Sequence, residues 1–162
     1  MVQPHSASPI KRRPSVLNGL TYKTNTPLGD AFITLNNDSG GDPFELFITI
    51  GKSGSDVSAM ADALGRMVSL VLRLQSEVPP REKIRQVIAQ LSGIGGARTV
   101  GFGENRVRSL PDAMAKLLAD HFGFRVNGVV KDAGTREVIK NELQITNGQT
   151  NGLLKTHTQE SS

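Results

Sequence analysis

The sequence has no cysteine and no tryptophan, and its 162 residues include one tyrosine and three histidines. Without thiols there is no disulfide, no thiolate metal site, and no cysteine nucleophile or redox pair. Aromatic residues make up only 4% of the chain, so the core has to be aliphatic. No apolar run approaches the roughly 18–20 residues of a membrane span. The opening stretch MVQPHSASPIKRRPS has a basic cluster with no apolar segment behind it, unlike a secretory signal. These absences predict a soluble, cytoplasmic protein with no membrane contact. The 19 Lys+Arg outweigh 15 Asp+Glu for a formal charge of +4. That balance suits an anionic partner without requiring one.

Metal and triad chemistry find equally little support. His5, His121 and His157 are widely separated, and no His-x-x-x-His pair puts two ligands on one helix face. His121, at the end of a helical pattern, suits the negative pole of a helix dipole. No Ser-His-Asp grouping is suggested, so no catalytic residue is assigned.

What is present reads as one α+β domain. Residues 1–18, with three prolines and the IKRRP cluster, read as a flexible basic arm. The domain spans residues 19–125, and 126–162 form a weakly patterned extension and polar tail. Residues 21–26, 31–35 and 44–50 alternate like strands, joined by the Pro27-Leu28-Gly29-Asp30 turn and the 36–42 turn. About three antiparallel strands are therefore expected, packed against two or three helices.

The first helix spans about Asp56 to Gln75, with Met60, Ala63, Leu64, Met67, Val68, Val71 and Leu74 as its expected buried stripe. Pro80 opens the second helix, whose inner face is Ile84, Val87, Ile88 and Leu91. Residues 93–103 include five glycines and form a loop. A third helix starts near Pro111, points Met114, Leu117 and Leu118 inward, and ends at Gly123. Residues 129–130 and 137–139 are candidates for a last short strand and a helical turn.

Two stretches invite a chemical reading. FITIGKSGSD sets a strand, Gly-Lys-Ser and a helix in the order of a phosphate loop. The full signature needs a glycine where Leu46 stands, which excludes a triphosphate-wrapping loop. Lys52, with the amides of Ser53 and Ser55, remains a candidate anion contact at a helix start. A plain turn capped by Ser55 is the preferred alternative. GIGGARTVGFGENRVR carries Arg98, Arg106 and Arg108, of which Arg106 and Arg108 join Lys52 as candidate nucleotide or anion contacts. It lacks the glycine spacing of a dinucleotide fold.

Taken together, LNGLTYKTNTPLGDAFITLNND, DPFELFITIGKSGSDVSAMADALGRMVSLVLRL, LSGIG and SLPDAMAKLL resemble the TSCPD domain over roughly residues 14–122. That domain is named for a Thr-Ser-Cys-Pro-Asp motif. It occurs near the C-terminal end of cobalamin-dependent, class II ribonucleotide reductases and on small chains that accompany a larger reductase chain. The resemblance implies an accessory or regulatory module in deoxyribonucleotide synthesis. The large catalytic chain would be its partner and would hold the cobalamin, with no cofactor on this chain. The alternative is a stand-alone nucleotide- or nucleic-acid-binding protein that keeps the fold alone.

Family members commonly carry four cysteines, at positions matched here by Leu28, Asp56, Gly96 and Leu110. Four such thiolates are what a structural zinc site needs. Their joint absence implies a site discarded as a unit and replaced by an aliphatic plug. Each fully buried leucine would contribute about 1.5–3 kcal/mol. Leu110 is then expected to point inward, close to Leu28 and to the start of the helix at Asp56.

Overall fold

Alternating side chains build the sheet. The computed structural model describes residues 8–125 and the short strand Val138–Ile139. Strands β1 (Asn18–Thr26), β2 (Gly29–Asn37) and β3 (Pro43–Ile50) form an antiparallel meander. Thr26 pairs with Gly29, leaving Pro27 and Leu28 as the two-residue connection. Gly29 takes φ 109° there, a conformation costly for any residue with a Cβ. Strand β4 (Val138–Ile139) pairs with Thr21 and Tyr22, so the sheet order is β3-β2-β1-β4. The short strand expected near 137–139 is thus present, while residues 129–130 lie outside the described residues.

One sheet face carries Ala31, Ile33, Leu35, Leu46, Ile48 and Ile50, all buried in the core. The other face shows Phe32 and Phe47, both partly exposed. Three helices close the buried face: α1 (Asp56–Arg73), α2 (Pro80–Leu91) and α3 (Leu110–Phe122). Helix α1 lies along β3, α3 packs on β1, and α2 packs on α3. Met114, Leu117 and Leu118 are fully buried in the core, as their spacing predicted. Gly123, at φ 68°, closes α3 in the left-handed conformation.

The buried side of α1 differs from expectation. Ala61, Gly65, Val68 and Leu72 face the sheet, whereas Met60 is 72% exposed and Met67 59% exposed. The reason is close packing. A Cβ on Gly65 would stand 3.0 Å from the Leu46 carbonyl oxygen. Small residues let the helix backbone settle onto β3, and the bulkier apolar row is displaced to the flank. Ser69 locks the contact: its Oγ accepts from the Leu46 amide at 2.9 Å and donates to the Gly65 carbonyl at 2.8 Å.

Residues 9–13, within the segment read as an arm, lie against the domain. Gln75 N–H donates to the Pro9 carbonyl at 2.7 Å, and Lys11 N–H to the Arg73 carbonyl at 2.9 Å. Arg13 makes two hydrogen bonds to the Glu45 carboxylate, at 2.8 and 2.9 Å. Glu45 sits at an outward position of β3 yet is buried, and Asn36 also donates to it. Burial pushes the Glu45 carboxyl up, but the bonds from Arg13 and Asn36 outweigh it and hold the group below its ordinary value.

Arg13→Ala would leave that carboxylate buried and short of donors. The urea midpoint is expected to fall, and Glu45→Gln in the same chain to recover most of the loss. Equal, additive losses in the two single variants and the double variant would show that the pair is not coupled.

Candidate functional site

Four separate loops and helix starts meet at one end of the helical layer. In the β1–β2 turn, Thr26 Oγ1 donates to the Gly29 carbonyl at 2.8 Å and accepts from the Leu28 amide at 3.1 Å. This presents Leu28 at the tip. Ser55 caps α1 by accepting from the Ser58 amide at 3.2 Å, with Asp56 in the first turn. Ser109 caps α3 by accepting from the Asp112 amide, also at 3.2 Å, and donates to the Ile94 carbonyl at 2.7 Å.

Asp112 ties the glycine loop to the start of α3. Its carboxylate accepts from the Gly93 amide at 2.8 Å, the Arg108 amide at 2.9 Å and the Lys116 ammonium at 2.8 Å. Only 1% of the residue is exposed. Burial raises its pKa, but the bonds from Lys116, Arg108 and Gly93 prevail and hold it below the ordinary value.

Between these pieces lies a groove of about 850 Å³, lined by Leu28, Asp56, Gly96 and Leu110 together with Val57, Met60, Leu64, Arg98 and Arg108. The four positions matched to cysteines therefore share one site. Leu110 is 5% exposed and points inward as expected, but Leu28 is 54% exposed. The expected plug is corrected on this point: the groove is open, with Leu110 in its floor and Leu28 on its rim. Two facts explain it. Leu28 rides the tip of a two-residue hairpin, which projects from the sheet. Gly96 has no side chain to contribute; a Cβ there would sit 3.3 Å from the Arg108 carbonyl oxygen and 3.9 Å from Ser109 Cβ, aimed at the start of α3.

These residues do not fit a zinc ion. Of the four, only Asp56 carries a ligating atom, and one carboxylate does not make a tetrahedral site. Among the described residues no three of His, Asp or Glu converge. Changing Leu28, Asp56, Gly96 and Leu110 together to cysteine is expected to give a chain that retains one zinc after dialysis. The parent chain should retain none. Metal analysis checks this; a folded variant that retains no zinc would mean the positions border one groove without converging.

The sequence-derived anion candidates divide. Arg108 lines the groove, joined by Arg98. Lys52, Ser53 and Arg106 are exposed but outside its lining, and the Ser55 hydroxyl is engaged as the helix cap. His121 is not a solvent-facing end residue. Its Nδ1 and the Tyr22 hydroxyl share a 2.5 Å hydrogen bond, and burial, followed by the charge of Arg81, lowers its pKa. The glycine loop also has more structure than its composition suggested. Val100 and Val107 pair as a small antiparallel bridge, with Phe102 at its tip 93% exposed.

The element order and the shared groove invite comparison with known families, and the TSCPD domain matches residues 6–122. The chain belongs to the TSCPD domain family. Comparison with curated proteins and with solved structures yields no match. In this TSCPD domain the naming motif reads Arg-Ser-Leu-Pro-Asp at residues 108–112. Its serine and aspartate keep structural duties at the start of α3, while Leu110 forms groove floor.

A second groove, of about 600 Å³, runs between α1 and α2, lined by Leu64, Met67, Val71, Leu74, Val87 and Leu91 among others. Leu64 borders both grooves. Beneath the second, buried Lys83 donates to the Leu74 carbonyl. Burial, then the charge of Lys11, lowers its pKa.

Proposed function

We propose that the chain is an accessory module of a cobalamin-dependent, class II ribonucleotide reductase, docking on the large catalytic chain in the cytoplasm. The observation that carries this reading is the TSCPD family match over residues 6–122 on a chain without cysteine. Reductase chemistry needs a radical-forming cysteine and a redox cysteine pair, and this chain has neither to offer. In this reading radical chemistry, electron relay and cobalamin all reside on the partner. The test is affinity purification of the tagged full chain from native extract. A class II reductase chain in stoichiometric amount supports the reading; its absence from every eluate overturns it.

A second reading, a stand-alone nucleotide- or nucleic-acid-binding protein, draws on Lys52, Arg98, Arg106 and Arg108. None of these forms an ion pair with another described residue. Its signature would be binding to single-stranded nucleic acid that weakens steeply between low and physiological salt.

A further inference from the structure

Helix α1 is apolar on two sides. One side, Ala61, Gly65, Val68 and Leu72, is spent on the sheet. The other, Met60, Leu64, Met67, Val71 and Leu74, lines the two grooves in turn. Because Leu64 belongs to both, the grooves join into one trough along the flank of α1. An 18-residue helix is about 27 Å long, so the trough is the length of a partner helix rather than of a single side chain. Exposed methionines mark surfaces that adapt to an inserted apolar face.

Charge at the trough is uneven. Arg98 and Arg108 stand at the end formed by the glycine loop and the start of α3, and neither has an ion-pair partner among the described residues. At the α1–α2 end the rim is Gln75, Ser76, Gln86 and Gln90, all uncharged. A second copy of this chain, itself carrying +4, would bring further positive charge to the arginines. A segment with carboxylates at one end would neutralise them.

We propose that the trough along α1 seats an acidic amphipathic helix of a partner chain, its apolar face over Met60, Leu64, Met67 and Val71 and its carboxylates at Arg98 and Arg108. This deepens the accessory reading and rests on it for the partner's identity, since it says which surface docks.

The cysteine-free chain makes the test simple. Met67→Cys places a single attachment point on the trough, and Thr49→Cys places one on the outer sheet face; both parent residues are exposed. Each full-length variant carries a benzophenone maleimide, is irradiated in native extract, and its cross-linked peptides are read by mass spectrometry. The Met67→Cys chain is expected to join an acidic amphipathic segment of another protein, and the Thr49→Cys chain is not. Adding Arg98→Glu and Arg108→Glu should cut the yield at least tenfold.

A cross-link to a second copy, to residues 126–162 of the same chain or to a segment without acidic residues overturns the proposal, as does no cross-link at all. The two readings fail separately. If the captured chain is not a reductase, the trough assignment stands and the accessory reading falls. If a reductase chain co-purifies and no cross-link forms at position 67, the reverse holds.

Discussion

Replacing Asp112 by alanine is expected to lower the thermal unfolding midpoint by about 10 °C. The carboxylate serves two backbone amides and one ammonium, and it is fully enclosed. Removing it strands the Gly93 and Arg108 amides and leaves Lys116 without its acid, a loss of about 3 kcal/mol for a buried, multiply bonded charge. At about 3 °C per kcal/mol for a chain of this length, that gives the stated shift. Asp112→Asn keeps the shape but loses the ion pair, so it should fall between the two.

The pH dependence separates the explanations. The folded pKa of Asp112 lies below its ordinary value of 3.8. Its contribution to stability is therefore complete above that value and lost as pH falls through it toward the folded pKa. Denaturant melts of the parent should steepen in acid below about pH 4, and Asp112→Asn should flatten that slope. An Asp112→Ala chain melting within 2–3 °C of the parent, roughly 1 kcal/mol, would show that the loop and α3 hold together without it.

The second large effect lies at Gly65. A valine there would drive its side chain into the Leu46 carbonyl, where even a Cβ alone comes to 3.0 Å. Helix propensity favours replacing glycine by up to about 1 kcal/mol. Overpacking against rigid strand backbone costs about 1–3 kcal/mol and, for a β-branched side chain here, the upper end. Gly65→Val is accordingly expected to lose about 2–3 kcal/mol by urea titration, with Gly65→Ala a smaller loss. A Gly65→Ala chain more stable than the parent would mean that α1 can lift off β3 at little cost.

That same contact marks where sequence reading stopped. Strand alternation and the helix punctuation at Ser55, Pro80, Ser109 and Gly123 are local signals, and they located the meander and all three helices. The buried side of α1 was not local. Met60, Leu64, Met67 and Val71 have the stronger apolar period, but what reaches the sheet is decided by how near two backbones can come, and there Ala61 and Gly65 win. Glu45 was hidden for a related reason, since its place on the outer side of β3 suggests solvent until Arg13, 32 residues earlier, is laid over it.

The candidate site was legible in part. Leu28, Asp56, Gly96 and Leu110 were grouped only through the family pattern, because nothing in their residue types links them. Arg98 escaped attention as one arginine in a glycine-rich loop. Asp112 did leave a signal, three residues after a serine cap, where a carboxylate commonly turns back onto preceding amides. How open the groove is could not be read from side-chain identity, because it depends on where a hairpin tip projects.

The position of α3 has a consequence for synthesis. It is the last helix to be made among the described elements, and nine of its thirteen residues are buried. Until Phe122 has left the ribosome, β1 and α2 have nothing to close against, and Tyr22 lacks its histidine partner 99 residues downstream. The nascent chain must therefore carry a half-covered aliphatic sheet for most of its translation. Consolidation of this fold is a late, single event, and a stop codon anywhere before α3 yields a polypeptide suited to chaperones and proteases rather than a smaller working domain.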